Sequence, residues 1–242
     1  MSLVFWSYDE RPELERRKAH LSEAWPEFML HGEVSQQHWR LLYERFGSFQ
    51  FFLLDEDADE VVAEVNSLPV RVDLDALPDR GWDEVLEHGT TSTAEPNAVS
   101  AIQVLLARGR QGGGLSRLCL ERMRANTAEH SFVDLIAPVR PSLKTLYPLV
   151  PMERFVTWTV DDGLPFDPWL RVHATLGAEI VRVCPESMTI AGTIAEWEKW
   201  AGMAFPETGS YVVPGALELV AVDREHDVGR YVEPNVWMRH RL

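Results

Sequence analysis

Val104-Leu105-Leu106-Ala107-Arg108-Gly109-Arg110-Gln111-Gly112-Gly113-Gly114-Leu115-Ser116-Arg117-Leu118 joins an apolar run to an amphipathic one through four glycines. Upstream, residues 98–106 have the apolar, β-branched character of a strand that feeds directly into the turn. Downstream, Leu115, Leu118, Cys119 and Met123 recur at helical spacing, which predicts an amphipathic helix over about 114–128. A flexible turn between strand and helix exposes unpaired N–H groups at the positive end of the helix dipole, and such a place holds an anion, above all a phosphate.

Spacing excludes three common phosphate or acyl motifs. A Walker loop running from Gly109 to Gly114 would place its lysine where Leu115 stands. A dinucleotide fingerprint on Gly112 and Gly114 would need a small residue at Arg117 and an acidic ribose partner in a βαβ context. A hydrolase elbow through Ser116 would need glycine where Leu118 stands.

Working outward, a strand is expected over 3–7 and a helix over 13–24. A second helix is expected over 36–46, capped by Ser35 and stopped by Gly47. Strands over 49–54 and 60–67 flank a polar hairpin loop, and no element is assigned between Ser67 and Ala98. A strand over 132–138 is followed by an irregular insertion over about 138–168 with six prolines, counting both ends. Proline opens a helix over 168–176 that Gly177 ends, and a strand over 179–184 follows. Thr193 caps a short helix ending at Gly202, and strands over 216–222 and 230–238 complete the chain.

Composition sets the limits. With 242 residues, 45% apolar side chains and nine tryptophans, the chain reads as a single domain over 1–242 that can bury a large core. A net charge of −15 opposes nucleic acid as a partner, because that affinity needs cations to displace condensed counterions. No apolar run reaches about 18 residues, and Met1 to Ser7 carries no leader pattern, so a cytoplasmic protein away from membranes is expected. Cys119 and Cys184 sit in apolar contexts and read as core. No His-Glu-x-x-His or paired-cysteine spacing supports a metal.

Gln111-Gly112-Gly113-Gly114-Leu115-Ser116 resembles the pyrophosphate signature of the GNAT acyltransferase superfamily: Gln or Arg, two residues, glycine, any residue, then a small residue. Serine replaces the usual glycine or alanine at the last position. His173-Ala174-Thr175-Leu176-Gly177-Ala178 is similar to the family's downstream Tyr-x-x-Leu-Gly-Phe, with histidine at the tyrosine position. The resemblance implies an α+β GNAT fold, with a mixed, mostly antiparallel sheet flanked by helices and splayed strands forming an acyl-CoA cleft. It implies direct transfer of an acyl group, with acetyl the first expectation, from acetyl-CoA or another acyl-CoA to the amine of a small-molecule acceptor. A homodimer is compatible with it. A GNAT-fold thioester decarboxylase or hydrolase and a non-catalytic CoA-binding module are the alternatives.

By the same resemblance Leu106 and its neighbours serve the pantetheine arm, and Gln111, Gly112, Gly113, Gly114, Leu115 and Ser116 the pyrophosphate. Arg108 and Arg110 are candidates for CoA phosphates or are solvated loop residues. His173 stands where the family's acid protonates the leaving thiolate. Glu64 and Glu95 are the candidate bases. Trp158, Phe166 and Trp169 are the candidate aromatic lining of an acceptor pocket covered by the insertion, or else a plug over the core.

Overall fold

The structure, a computed structural model, describes residues 2–242; Met1, the first residue of the stretch Met1 to Ser7 considered above, lies outside them. The elements in order are β1 (Leu3–Ser7), α1 (Glu33–Phe46), β2 (Gln50–Asp55), β3 (Glu60–Val70), α2 (Gly81–Thr91) and β4 (Ala98–Leu106). Then come α3 (Leu115–Glu129), β5 (Asp134–Val139), α4 (Met152–Phe155), α5 (Pro168–Thr175) and β6 (Glu179–Gly192). The chain ends with α6 (Ile194–Ala201), β7 (Gly209–Tyr211), β8 (Val220–Asp223) and β9 (Val228–Arg241).

The strands form one nine-stranded sheet in the order β1-β2-β3-β4-β5-β9-β8-β7, with β6 also paired to β9. Every pairing is antiparallel except β4 with β5. Alternate residues of β2 and β3 serve opposite layers. Phe52, Leu54, Leu68 and Val70 pack toward α1 and α2, whereas Phe51, Leu53, Ala63 and Val65 pack toward Leu115, Cys119 and Met123 of α3. With both faces covered, these strands read as continuous apolar runs rather than as an alternation.

Several elements depart from the sequence expectations. Residues 13–24 form two short 3-10 helices, Pro12–Arg17 and Ala19–Ala24, instead of one α-helix. The helix after them begins three residues early with Gly32 as its cap; Ser35 lies in its first turn and donates to Gly32 O at 2.8 Å. α2 had no counterpart, because Gly81, Gly89, Thr90 and Thr91 are weak helix formers; packing of Trp82, Val85 and Leu86 holds it. β6 continues past the expected end at Cys184, as the register shift between Cys184 and Met188 absorbs Pro185. The insertion is not wholly irregular: it contains α4 and a 3-10 turn at Lys144–Leu146.

Two features position the site. Between Asn66 and Ser67 of β3 the register with β4 slips, so that Gln103 and Ala101 are paired and Ile102 is bulged. Trp82 of α2 donates its indole N–H to Ile102 O at 2.9 Å, which pins the bulge. On the other side, β4 meets β5 only at Val99 with Leu135 and Ser100 with Ile136. Beyond them β4 follows β3 while β5 follows β9, and the two strands diverge.

Candidate active site

The divergence opens a cavity of about 1150 Å³ that reaches both layers of the molecule. One end is the glycine turn, through Gln111, Gly112, Gly114, Ser116 and Arg117. Gly112 and Gly114 have φ of 82° and 80°, a region costly for other residues, and a Cβ on either would meet no atom within 4 Å. Their space is open and their backbone shape is fixed, as a loop that wraps a phosphate requires. Leu115, by contrast, is buried against α3's core face and serves the turn through its main chain.

The middle is lined by Ala101 to Leu106 of β4, Ala137 to Arg140 at the end of β5, and Trp169 and His173 of α5. Asp167 caps α5, accepting from Trp169 N and Leu170 N at 2.9 and 3.1 Å, and this fixes the direction in which the helix presents His173. His173 is 1% exposed. Its Nδ1 lies 3.0 Å from Nε2 of His240, its ring meets Trp169 edge-on at 4.5 Å, and its Nε2 bonds to no protein atom. Burial, then the neighbouring His240, push its pKa well below the usual imidazole value. His173 is therefore neutral throughout the physiological range.

The far end is built by the N-terminal segment and α1, α2 and β9. Trp25, Trp39 and Trp82 supply aromatic faces, and two buried carboxylates face the same space, Glu64 and Glu233. Lys18 Nζ lies 2.5 Å from Glu64 Oε1, and the Tyr43 hydroxyl donates to the same oxygen. Burial, then the Glu64 carboxylate, raise the Tyr43 phenol far above its usual value, so it stays a donor. Glu233 accepts from Arg140 Nε at 2.9 Å, Tyr231 OH at 2.7 Å and Asn235 Nδ2 at 3.1 Å. Each carboxylate is thus matched by a cation, which is the condition for burying it.

The sequence candidates divide accordingly. Leu106, Gln111, Gly112, Gly114, Ser116, Glu64, Trp169 and His173 converge on the cavity, while Gly113 lies in the turn between two of them. Arg108 and Arg110 do not line it: Arg108 donates to Glu23 O, and Arg110 pairs with Asp55 and Glu60 at 3.5 and 3.3 Å. They tie the turn to the β2–β3 hairpin and the N-terminal segment. Glu95 is exposed in a separate depression beside Arg45 and Arg71. Trp158 and Phe166 pack edge-on or tilted against Tyr147, Phe155 of α4 and each other, where they plug the insertion's own core. The cavity is walled by the segment from Lys18 to Trp39, and the insertion contributes only its two ends, including Arg140, Ser142 and Pro168.

Lys18, Arg117 and Arg140 are cavity cations that the sequence reading passed over. Arg117 carried a signal: a cation in the first turn of a helix opposes the helix dipole, and a bound anion offsets that cost. Arg140, Trp25 and Trp39 carried none, since only tertiary packing brings them to the cleft.

No family model matches the chain. It is 35% identical over 251 residues to the arginine N-acetyltransferase avaD of Aspergillus versicolor, which spans 92% of this chain and 87% of that one. Among solved structures it resembles the loading GNATL domain of CurA from Lyngbya majuscula, with a TM-score of 0.67, 18% identity and coverage of 100% and 98%. It also resembles the GphF GNAT-like decarboxylase in complex with isobutyryl-CoA, with a TM-score of 0.59, 15% identity and coverage of 100% and 99%. These structures share the open, mostly antiparallel sheet flanked by helices.

Proposed function

Since the chain belongs to the GNAT superfamily of acyl-CoA-dependent N-acyltransferases, we propose that it transfers an acetyl group from acetyl-CoA to the amine of a free amino acid, with arginine the first acceptor to try. The observation that carries this reading is the continuity of the cavity, from the glycine turn through the β4–β5 gap to the paired carboxylates.

In this reading the turn's N–H groups and Arg117 hold the pyrophosphate, and the main chain of β4 beyond Ser100, which has no partner on β5, bonds the pantetheine arm. The thioester supplies an activated carbonyl. Trp25, Trp39 and Trp82 offer faces to a cationic side chain. Glu64 and Glu233 attract the amine and guanidinium, and Lys18 and Arg140 attract the carboxylate, so both signs of a zwitterion are matched. Glu64 is the base that takes the amine's proton. The name of the Aspergillus relative supports arginine as the acceptor.

Free-thiol release from acetyl-CoA, measured with arginine, other amino acids and simple amines, tests this. Arginine-dependent release with a matching acetylated product is expected. Release with other amines alone would overturn the acceptor, and thiol release independent of any amine would favour thioester hydrolysis instead.

A further inference from the structure

His173 is one link in a chain of three side chains drawn from three elements. Arg124 of α3 places Nη1 at 2.7 Å from His240 Nδ1 and also donates to Leu176 O. His240 of β9 in turn places Nε2 at 3.0 Å from His173 Nδ1. His173 and His240 are each 1% exposed or less. These contacts leave little freedom to the protons. A guanidinium has only donors, so His240 Nδ1 must accept. A neutral His240 then carries its proton on Nε2 and donates it to His173 Nδ1. The proton of His173 is left on Nε2, the one ring atom of the pair with no protein partner, on a residue that lines the cleft.

We propose that Arg124, acting through His240, locks His173 in the Nε2–H tautomer, and that His173 serves acyl transfer as a neutral hydrogen-bond donor to the thioester instead of giving up its proton. The inference rests on the acyl-transfer reading above and changes the role that the family's tyrosine position implies. Arg124 and His240 are positioning residues in this scheme. The charge neighbours support neutrality: the groups packed on the two imidazoles are each other, the Arg124 cation, the Leu176 carbonyl, which Arg124 also engages, and the Trp169 ring, and among the described residues no carboxylate is bonded to either ring. Burial, then Arg124, push His240 down to about 4.

A neutral imidazole is a far weaker acid than a thiol, so full proton transfer from His173 to the departing sulfur would run uphill. A fixed N–H aimed at developing negative charge needs no such transfer. The acceptor nitrogen bonds to the carbonyl carbon as the C–S bond breaks. The electron pair of that bond leaves on sulfur, stabilised by the Nε2–H. The amine's proton departs through the base on the acceptor side, and the thiolate takes a proton from solvent.

Long-range 1H–15N spectra of the histidine-labelled, ligand-free chain at pH 7.5 read the tautomers directly, with peaks assigned by single His→Asn substitutions. Both His173 and His240 are expected as neutral Nε2–H species. Arg124→Leu should allow Nδ1–H forms and lower kcat by roughly 10- to 100-fold, with KM for acetyl-CoA within about twofold as expected of a group outside the binding surface. Arg124→Lys, which keeps a donor, should restore most of both. An Nδ1–H or doubly protonated His173 in the wild type, or an Arg124→Leu enzyme with wild-type kcat, would overturn the proposal. Because the spectrum is taken without substrate, it stands or falls apart from the acceptor assignment, and it remains informative if a variant fails to fold.

Discussion

Asp83, in the first turn of α2, is 5% exposed and accepts one hydrogen bond, from Thr189 N–H at 2.9 Å. Burial raises its carboxyl to about 7. A raised carboxylate pKa favours the folded state at low pH, and that contribution is lost as pH rises from the unfolded value near 4 through about 7. His240 acts with the opposite sign. Its value of about 4 means that the folded state prefers the neutral ring, so stability present above about 6.5 is lost as pH falls toward 4. The two slopes overlap and partly cancel in the wild type. Asp83→Asn, which keeps the acceptor for Thr189, should therefore stabilise the protein by roughly 2–4 kcal/mol at pH 8, with most of the gain gone by pH 4.5. Thermal unfolding across that range checks it; no gain, or a loss, at pH 8 would mean that Asp83 is charged and comfortable where it is, and a gain independent of pH would mean that its ionisation is not the cause. At this scale the sequence was informative only for local patterns. Gln111 to Ser116 and His173 were marked by short motifs that resemble the family's, whereas Arg124 and His240 lie 49 and 67 residues from His173 and meet it only through the packing of α3 and the register of β9.

Among elements, those bounded by their own chemistry were legible. β4 has the bounds its apolar run predicted, and α6 has the Thr193–Glu196 capping box and ends on Gly202 at φ 64°. Thr193→Ala should cost about 1 kcal/mol in chemical denaturation and leave the kinetics unchanged, since α6 lies outside the cavity. An equal loss of activity would couple α6 to the site. Elements held by tertiary contacts were misread. The N-terminal segment lacks a sustained helical stripe and is bounded by Pro12 and Pro26, so it breaks into 3-10 turns that fold over the cleft. The insertion's prolines and aromatic residues single it out in the sequence, but the rings of Trp158 and Phe166 are occupied with Tyr147, Phe155 and one another.

For the molecule as a whole, the sheet is a device for holding a gap. One bulge at Ile102 and two paired residues between β4 and β5 set where the strands part. The glycine turn, the neutral His173 and the two buried carboxylates are then placed along that gap by the β4–α3 connection, by α5, and by β3 and β9. Among the described residues no helix is long and apolar enough to cross a membrane. The central claim is that the turn at the entry of α3 holds the pyrophosphate of an acyl-CoA. Calorimetric titration of acetyl-CoA into the wild type and into Ser116→Glu tests it. A glutamate suits the first turn of a helix, so the variant should fold normally while its carboxylate repels the phosphates. Binding to the wild type, weakened at least tenfold in the variant, is the expected result; equal binding by both proteins, or none by the wild type, would contradict it.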